Sequence, residues 1–379
     1  MKSILLIGGT GVISSAVVQA AIKKGLKVTT ETRGKRKLPQ GISNIICDKE
    51  DKEKLSQLLD SHYDAVIDFL CYTEAELENS FNFYSNYTGQ YFLISSCAVY
   101  DTRVRGIIKE DHPKQLPIWK YSIDKWAAEQ KLMSLASATS CKYTIIRPAI
   151  IYDNTRIPYG ITPEYGYHWT LCARILSGKP IIMWNNGKNY RNMMRVEDFA
   201  IGMVGLIGNK DAYNEAFNIC GDEVSSWRDV LSIVEKYLHK KAIIINMPSE
   251  FYAKQIPYRA GELLGGRSID SKNSNEKIKA VVPEFKQSIS IEEGIYKTLD
   301  AYKENNFENG IDWRFDAETD RAIEIWCNTQ GVSSKKYNLG FVDYLGKATW
   351  HDKYQYLNTK YHDAIWMKCL RKTKKLLKL

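Results

Sequence analysis

The chain has 379 residues, a formal net charge of +9 and 44% hydrophobic residues. That length suits one large domain with a sub-lobe, or two domains, of ordinary globular composition. No apolar run approaches the ~20 residues of a membrane span, and the glycine turn at Gly8 breaks the first apolar stretch, so no signal peptide is expected over residues 1–25. Eight scattered cysteines without a CxxC pair suit reduced thiols in a cytoplasmic protein, and no metal site is expected. The charge is uneven. From Gly346 onward nine Lys/Arg stand against two acids, so that segment carries +7 and the preceding chain only +2.

Taken in chain order, short apolar strands are expected at 3–7, 27–30, 44–47, 65–69, 91–95 and 143–147, with helical patterns between them, as at 14–24 and 49–59. This alternation predicts an α/β fold with a doubly wound, Rossmann-type parallel sheet and ligands at the carboxyl ends of its strands. Past Ile151 the pattern loosens around Pro158, Gly160, Pro163 and Gly166, near Tyr159, Tyr165 and Tyr167. Further strands are expected at 179–184, 216–220 and 242–247, and helices at 227–238 and 292–304. The division expected is a dinucleotide-binding core over 1–150, rejoined by about 180–220, a smaller substrate lobe over 151–300, and an appended helical, basic extension over 301–379.

The first turn reads GGTGVISS, Gly8–Ser15, between a strand and a helix. Gly8, Gly11 and Ser14 hold the GxxGxxG spacing, in which the first glycine permits the turn, the second admits a pyrophosphate, and the third position governs helix–sheet packing. Ser14 adds only a hydroxyl there. Backbone donors at Gly8, Thr10, Gly11, Val12 and Ile13 would then face the phosphates; a plain tight turn is the alternative. At the end of the second strand stands Thr32 rather than an acid, followed by Arg33, whose guanidinium suits a 2′-phosphate. Glu31 is one residue early and, by strand alternation, should face the other way. The expectation is NADP(H), with NAD(H) as the alternative. Asp48 could accept from an adenine amino group or cap the next helix.

YSIDK sets Tyr121 and Lys125 four residues apart, on one face of a helix. A neighbouring ammonium stabilises tyrosinate, so the phenol can exchange a proton near neutral pH. YFLISSCAVY, residues 91–100, ends a strand in Ser95 and Ser96, where a hydroxyl can bond a substrate oxygen. Tyr121 as a half-buried surface residue is the alternative reading.

Together these stretches resemble the extended short-chain dehydrogenase/reductase superfamily, the NAD-dependent epimerases and dehydratases of nucleotide sugars. GGTGVIS resembles its coenzyme loop, SSCAVY its SSxxVYG segment, and YSIDK its YxxxK. RPAIIYD resembles RPxxxYG with Asp153 in place of glycine, NNGKNYRNMMRVEDFA resembles GDGxxxRDxxxVxDxA, and FNICG the closing FNxG. The likeness covers about residues 1–300. It implies Ser96, Tyr121 and Lys125 as the catalytic set, adds Phe69, Leu70 and Pro148 to the coenzyme contacts, and makes Arg191 a match for an arginine on the substrate's pyrophosphate. Arg259 and Arg267 are candidates for a second contact or for ion pairs. VIDFLCYTE, residues 66–74, departs from the sugar-epimerase pattern and looks closer to an atypical branch that includes chloroplast RNA-binding relatives.

The implied chemistry is hydride transfer at nicotinamide C4 with Tyr121 as acid/base. Sugar 4,6-dehydratases carry Asp-Glu after the catalytic Ser/Thr; here Cys97 and Ala98 stand there, so a ketoreductase or 4-epimerase is expected instead. Cys97 could touch substrate or be a buried inert thiol. The expected partners are a nucleotide-sugar substrate and a second copy in a homodimer. In the tail Trp366, Leu370, Thr373 and Leu377 fall near one helical face with lysines around it. Such a helix suits packing on its own subunit or on the dimer partner, peripheral contact with the inner membrane surface, or nucleic acid phosphates, as in a rival reading of the chain as an RNA- or membrane-binding protein.

Overall fold

The computed structural model describes residues 1–59, 61–114, 118–163, 168–306 and 310–376, the last three of these by backbone alone. Tyr165, Gly166, Tyr167, Leu377 and Lys378 lie outside it, as do the side chains of Lys374 and Lys375. In chain order the elements begin β1 (Ser3–Ile7), α1 (Val12–Lys23), β2 (Lys27–Thr32), β3 (Ser43–Ile46), α2 (Lys52–Leu58), β4 (Ala65–Asp68), α3 (Glu74–Tyr84), β5 (Gln90–Ile94), α4 (Lys120–Ala136), β6 (Lys142–Pro148) and β7 (Ile150–Tyr152). They continue α5 (Trp169–Ser177), β8 (Ile181–Trp184), β9 (Tyr190–Arg195), α6 (Val196–Gly205), β10 (Glu215–Ile219), β11 (Val224–Ser226), α7 (Trp227–Leu238), β12 (Ile244–Met247), α8 (Ser249–Gln255) and α9 (Ala260–Glu262). The last are α10 (Glu276–Val281), α11 (Ile291–Glu304), α12 (Trp313–Thr329), α13 (Trp350–Lys360) and α14 (Ile365–Leu376).

The chain divides into two compact units, 1–153 with 190–225 and 269–294, and 154–189 with 226–268 and 295–379. The first holds a seven-stranded sheet in the order β10-β6-β5-β4-β1-β2-β3, with every adjacent pair parallel. The order reverses between β1 and β4, the switch point where a doubly wound sheet opens its ligand crevice. Both faces are covered, which is why β1 is an unbroken apolar run. Ile4 and Leu6 pack with Val17, Val18 and Phe199 from α1 and α6, while Leu5 and Ile7 pack with Leu55, Phe81 and Leu132 from α2, α3 and α4.

Boundaries differ from expectation where local hydrogen bonds decide them. β2 runs on to Thr32, whose hydroxyl donates to Asn44 of β3. α2 starts only at Lys52, because Asp51 rather than Asp48 caps it, accepting from the Lys54 amide at 3.1 Å. The strands β7, β9 and β11 were not foreseen, since each is short or runs through polar residues.

The second unit contains residues 295–379, a span that takes in the helical, basic extension expected over 301–379. The reason is a buried charge cluster. Arg174 of α5 and Lys179 reach Asp316 of α12 at 2.5 and 3.0 Å, and Asp320 at 2.9 and 2.7 Å. All four side chains are fully buried. Tyr344 donates to Asp316 at 2.6 Å and Tyr356 of α13 donates to Asp320. Burial pushes the Asp316 carboxyl up, but Arg174 and Lys179 outweigh it and leave the carboxyl below its ordinary range. Removing one partner from such a cluster strands a buried charge, at a cost of about 3–5 kcal/mol. Asp316→Ala is therefore expected to lower the urea midpoint by a matching amount, whereas Asp363→Ala, at an exposed pair with Arg321, is expected to leave it within error; equal small effects would refute the role given to the cluster.

Candidate active site

The glycine turn closes β1 onto α1. Gly8 has φ +85°, and a Cβ on Gly9 would stand 2.7 Å from Thr30 Cγ2, so the loop needs both glycines. Gly11, the N-cap of α1, carries no side chain, and no side chain caps the helix. The first-turn donors, at Val12 and Ile13, are thus the backbone N–H groups that an uncapped helix N-terminus offers. Ser14, in the third-glycine place, turns its hydroxyl back to accept from the Gly11 amide at 2.9 Å. The substitution therefore tightens the turn, and the residues present fit a dinucleotide's phosphates. Leu70 lies over Gly8, and its amide donates to Asp68 at 2.7 Å; Phe69 packs on the α1 side of the sheet. Pro148 ends β6 beside Ile219.

At the end of β2, Thr32 Oγ1 accepts from the Gly34 amide, and Arg33 is exposed. Arg36, in the basic run that follows Arg33, donates to the Thr10 carbonyl at 3.1 Å and so lies against the glycine loop. Asp48 is exposed and accepts from Glu50 at 3.1 Å, a turn within its own loop. Glu31 does face away, as alternation requires: it is buried and accepts from the Tyr84 hydroxyl of α3 at 2.5 Å. Burial pushes its carboxyl up to about 7, against the pull of the Tyr84 bond and Lys52.

Asp68, buried at the end of β4, accepts from the Leu70 amide, Cys71 Sγ at 3.1 Å, Ser80 at 2.5 Å and Tyr91 at 2.9 Å. It shapes the loop after β4, whose Cys71 carbonyl receives Lys125 Nζ. Lys125 also donates to the Ile94 carbonyl at 2.8 Å and stands 4.5 Å from the Tyr72 ring centroid and 5.9 Å from that of Tyr121. Burial brings its ammonium down to about 8, with Cys71 and Asp68 opposing. Tyr121 is half-buried in the first turn of α4, its ring 5.0 Å from that of Trp119.

Ser95 and Ser96 part company. Ser95 is buried and donates to Glu129 at 2.5 Å, while Ser96 is half-buried and caps the short turn Cys97–Val99 by accepting from the Ala98 amide. Ser122, which no motif marks, donates to the Ala98 carbonyl at 2.5 Å and so joins the first turn of α4 to the turn that Ser96 caps. The Cys97 thiol points inward to the Arg147 carbonyl at 3.2 Å, and burial, then Cys220, push it far above the ordinary range.

Arg191, on β9, donates to the Ile269 carbonyl at 2.7 Å. In the other unit Arg259 and Arg267 share one carboxylate, Glu262, at 2.9 and 3.2 Å, and Arg259 also donates to the Thr162 carbonyl. Two guanidinium groups on one acid leave a surplus positive charge. The structure thus brings Ser96, Tyr121 and Lys125 to one end of the sheet with the glycine loop, and turns Cys97 and Glu31 away from it.

Glu31 yields a pH test. Below about pH 4.5 the carboxyl is protonated folded or unfolded; between there and about pH 7 the folded chain holds a proton that the unfolded chain releases. The stability it contributes at low pH is therefore lost as pH rises through 7. Glu31→Gln still accepts from Tyr84 but never ionises. Its melting temperature relative to wild type is expected to rise between pH 5 and pH 8, and a difference constant with pH would refute the buried-acid account.

The model of the NAD dependent epimerase/dehydratase family matches residues 4–220. The chloroplast stem-loop binding protein of 41 kDa b from Arabidopsis thaliana is 27% identical over 241 residues, 59% of this chain and 59% of that one. The chain therefore spans about three fifths of that relative's length. The 2′-dehydrokanamycin reductase of Streptomyces kanamyceticus is 20% identical over 256 residues, 67% of this chain and 71% of that protein. Among solved structures, the UDP-glucose 4-epimerase of Thermotoga maritima with UDP-glucose superposes with a TM-score of 0.64 at 20% identity, over 80% of this chain and 99% of that one, and so shares the fold. With the parallel sheet, the glycine turn and the matched span in agreement, the chain belongs to the NAD dependent epimerase/dehydratase family, within the extended short-chain dehydrogenase/reductases.

Proposed function

We propose that the protein is an NAD(P)-dependent oxidoreductase of a nucleotide-linked sugar, working as a ketoreductase or a 4-epimerase. One observation carries this reading: α4 presents Tyr121 and Lys125 beside the turn that Ser96 caps, at the strand ends next to an uncapped glycine-loop helix. A bound nicotinamide would supply or take the hydride. Ser96 Oγ orients a substrate oxygen and Tyr121 gives or takes its proton. Lys125, held by two carbonyls, keeps a positive charge near that phenol below about pH 8 and lets it go above. Water elimination has no support here, because Ala98 offers no acid and the Cys97 thiol stays protonated against Arg147.

Arg191, which matches the family's arginine, is the proposed contact to a substrate pyrophosphate. In the second unit, Arg259 and Arg267 share Glu262, and the surplus charge they leave suits an anion. NADP(H) is the proposed coenzyme over NAD(H). Arg33 and Arg36 put two guanidinium groups at the end of β2, and the one acid there, Glu31, faces the interior.

Tyr121→Phe is expected to lower turnover by about 10²–10⁴-fold while coenzyme binding persists. The assay begins by identifying the co-purifying nucleotide by mass, then screens nucleotide sugars. Tightly held coenzyme without net redox change marks an epimerase, stoichiometric NADPH consumption a reductase, and undiminished turnover by the Phe variant would exclude this mechanism. Arg33→Ala/Arg36→Ala is expected to weaken NADPH binding about tenfold or more and NADH binding little; equal losses for both coenzymes would count against the 2′-phosphate contact.

A further inference from the structure

The charge imbalance noted at the outset is concentrated on α14. This helix is docked on its own unit by one side. Met367 is completely buried, and Arg371 donates to Asn358 at 3.0 Å and to the His362 carbonyl at 2.8 Å. Those bonds fix the helix's rotation and leave a different side outward. Ile365 is 81% exposed, Trp366 50% and Leu370 43%, and Cys369 and Thr373 are exposed with them. At 100° per residue these five positions fill one continuous arc of about 140°. Tyr361, its ring 5.5 Å from that of Trp366, extends the apolar surface past the start of the helix. Exposed lysines Lys368 and Lys372 border the arc, and the sequence adds Lys374, Lys375 and Lys378.

An apolar arc that stays outward after the helix has docked is surface that water does not favour. Its cationic border says what covers it. A second copy would bring the same lysines against it, whereas an anionic surface would neutralise them. Aliphatic Ile365 and Leu370 beside Trp366 offer little to RNA, which is gripped by phosphate contacts and base stacking, but suit the boundary between lipid headgroups and acyl chains. We infer that α14 is an interfacial helix that holds the protein on an anionic lipid bilayer by its Ile365, Trp366 and Leu370 side. Among the described residues no helix is long and apolar enough to cross a membrane, so the contact is peripheral. The surface lies apart from Ser96, Tyr121 and Lys125 in sequence and fold unit, and its role stands whether or not the proposed chemistry holds.

The test is co-sedimentation of the full chain with vesicles of phosphatidylcholine alone or with 30% phosphatidylglycerol. Binding is expected to the anionic vesicles, at least tenfold weaker to the neutral ones, and weakened by added salt. Trp366→Glu/Leu370→Glu and Lys368→Glu/Lys372→Glu are each expected to weaken binding about tenfold or more, at roughly 1 kcal/mol for each basic residue near the surface. Both should leave the melting temperature unchanged, because these side chains face solvent. Three outcomes would overturn the inference. The first is no binding to anionic vesicles at low salt. The second is binding that the Trp366/Leu370 variant leaves intact. The third is a vesicle-inert protein whose mass in solution, or whose affinity for a stem-loop RNA, falls with the Trp366/Leu370 variant; that would assign the surface to a second copy or to nucleic acid.

Discussion

The carboxylate of Glu129 holds together the end of the first unit's sheet where β5 and β6 meet α4. It accepts from Arg147 through two parallel bonds, at 3.0 and 2.6 Å, and from Ser95 at 2.5 Å. Those bonds tie α4 to the ends of β5 and β6 at once. Arg147 also donates to the Tyr100 hydroxyl at 2.7 Å, which donates in turn to Asn218 on β10. Tyr121, Lys125 and Glu129 follow at four-residue steps along α4. The stripe that carries Tyr121 and Lys125 is therefore the stripe that anchors the helix. A buried, bidentate pair of this kind brings little net stability over a well-packed apolar pair, but it fixes geometry.

The same device recurs along the strand ends. Glu31 near the end of β2 and Asp68 at the end of β4 are buried acids satisfied by hydroxyls, one by Tyr84 and the other by Ser80 and Tyr91. Each fixes the path of the chain where it leaves the sheet. Asp68 sets the loop whose carbonyl receives Lys125 and whose Leu70 covers Gly8, so glycine turn and buried lysine are registered through one carboxylate. Lys125 is held by carbonyls rather than by a counter-ion, so burial alone brings its proton affinity toward the working range.

Much of this was legible in the sequence because it rests on local periodicity. The first-unit strands from β1 to β6, the helix with Tyr121 and Lys125, and the inward turn of Glu31 follow from periods of 2 and 3.6. What was not legible depends on contacts between distant segments. Ser122 belongs to no pattern, and its bond to the Ala98 carbonyl exists only once two loops meet. VIDFLCYTE read as a departure; in the fold its Asp68 and Cys71 are the parts that hold Lys125. The tail was read by its charge, which hid the two acids of α12 that bind it into the second unit.

That charge cluster also governs the order in which the molecule can be made. Arg174 and Lys179 emerge from the ribosome well before Asp316 and Asp320, and Tyr356 follows later still. A nascent chain that has just released α5 therefore carries two cations that it cannot bury. The first unit depends on distant sequence too, through residues 269–294, but its sheet is complete once β10 has emerged. Synthesis thus builds the parallel sheet first and leaves the second unit open to chaperones until residues 295–379 arrive.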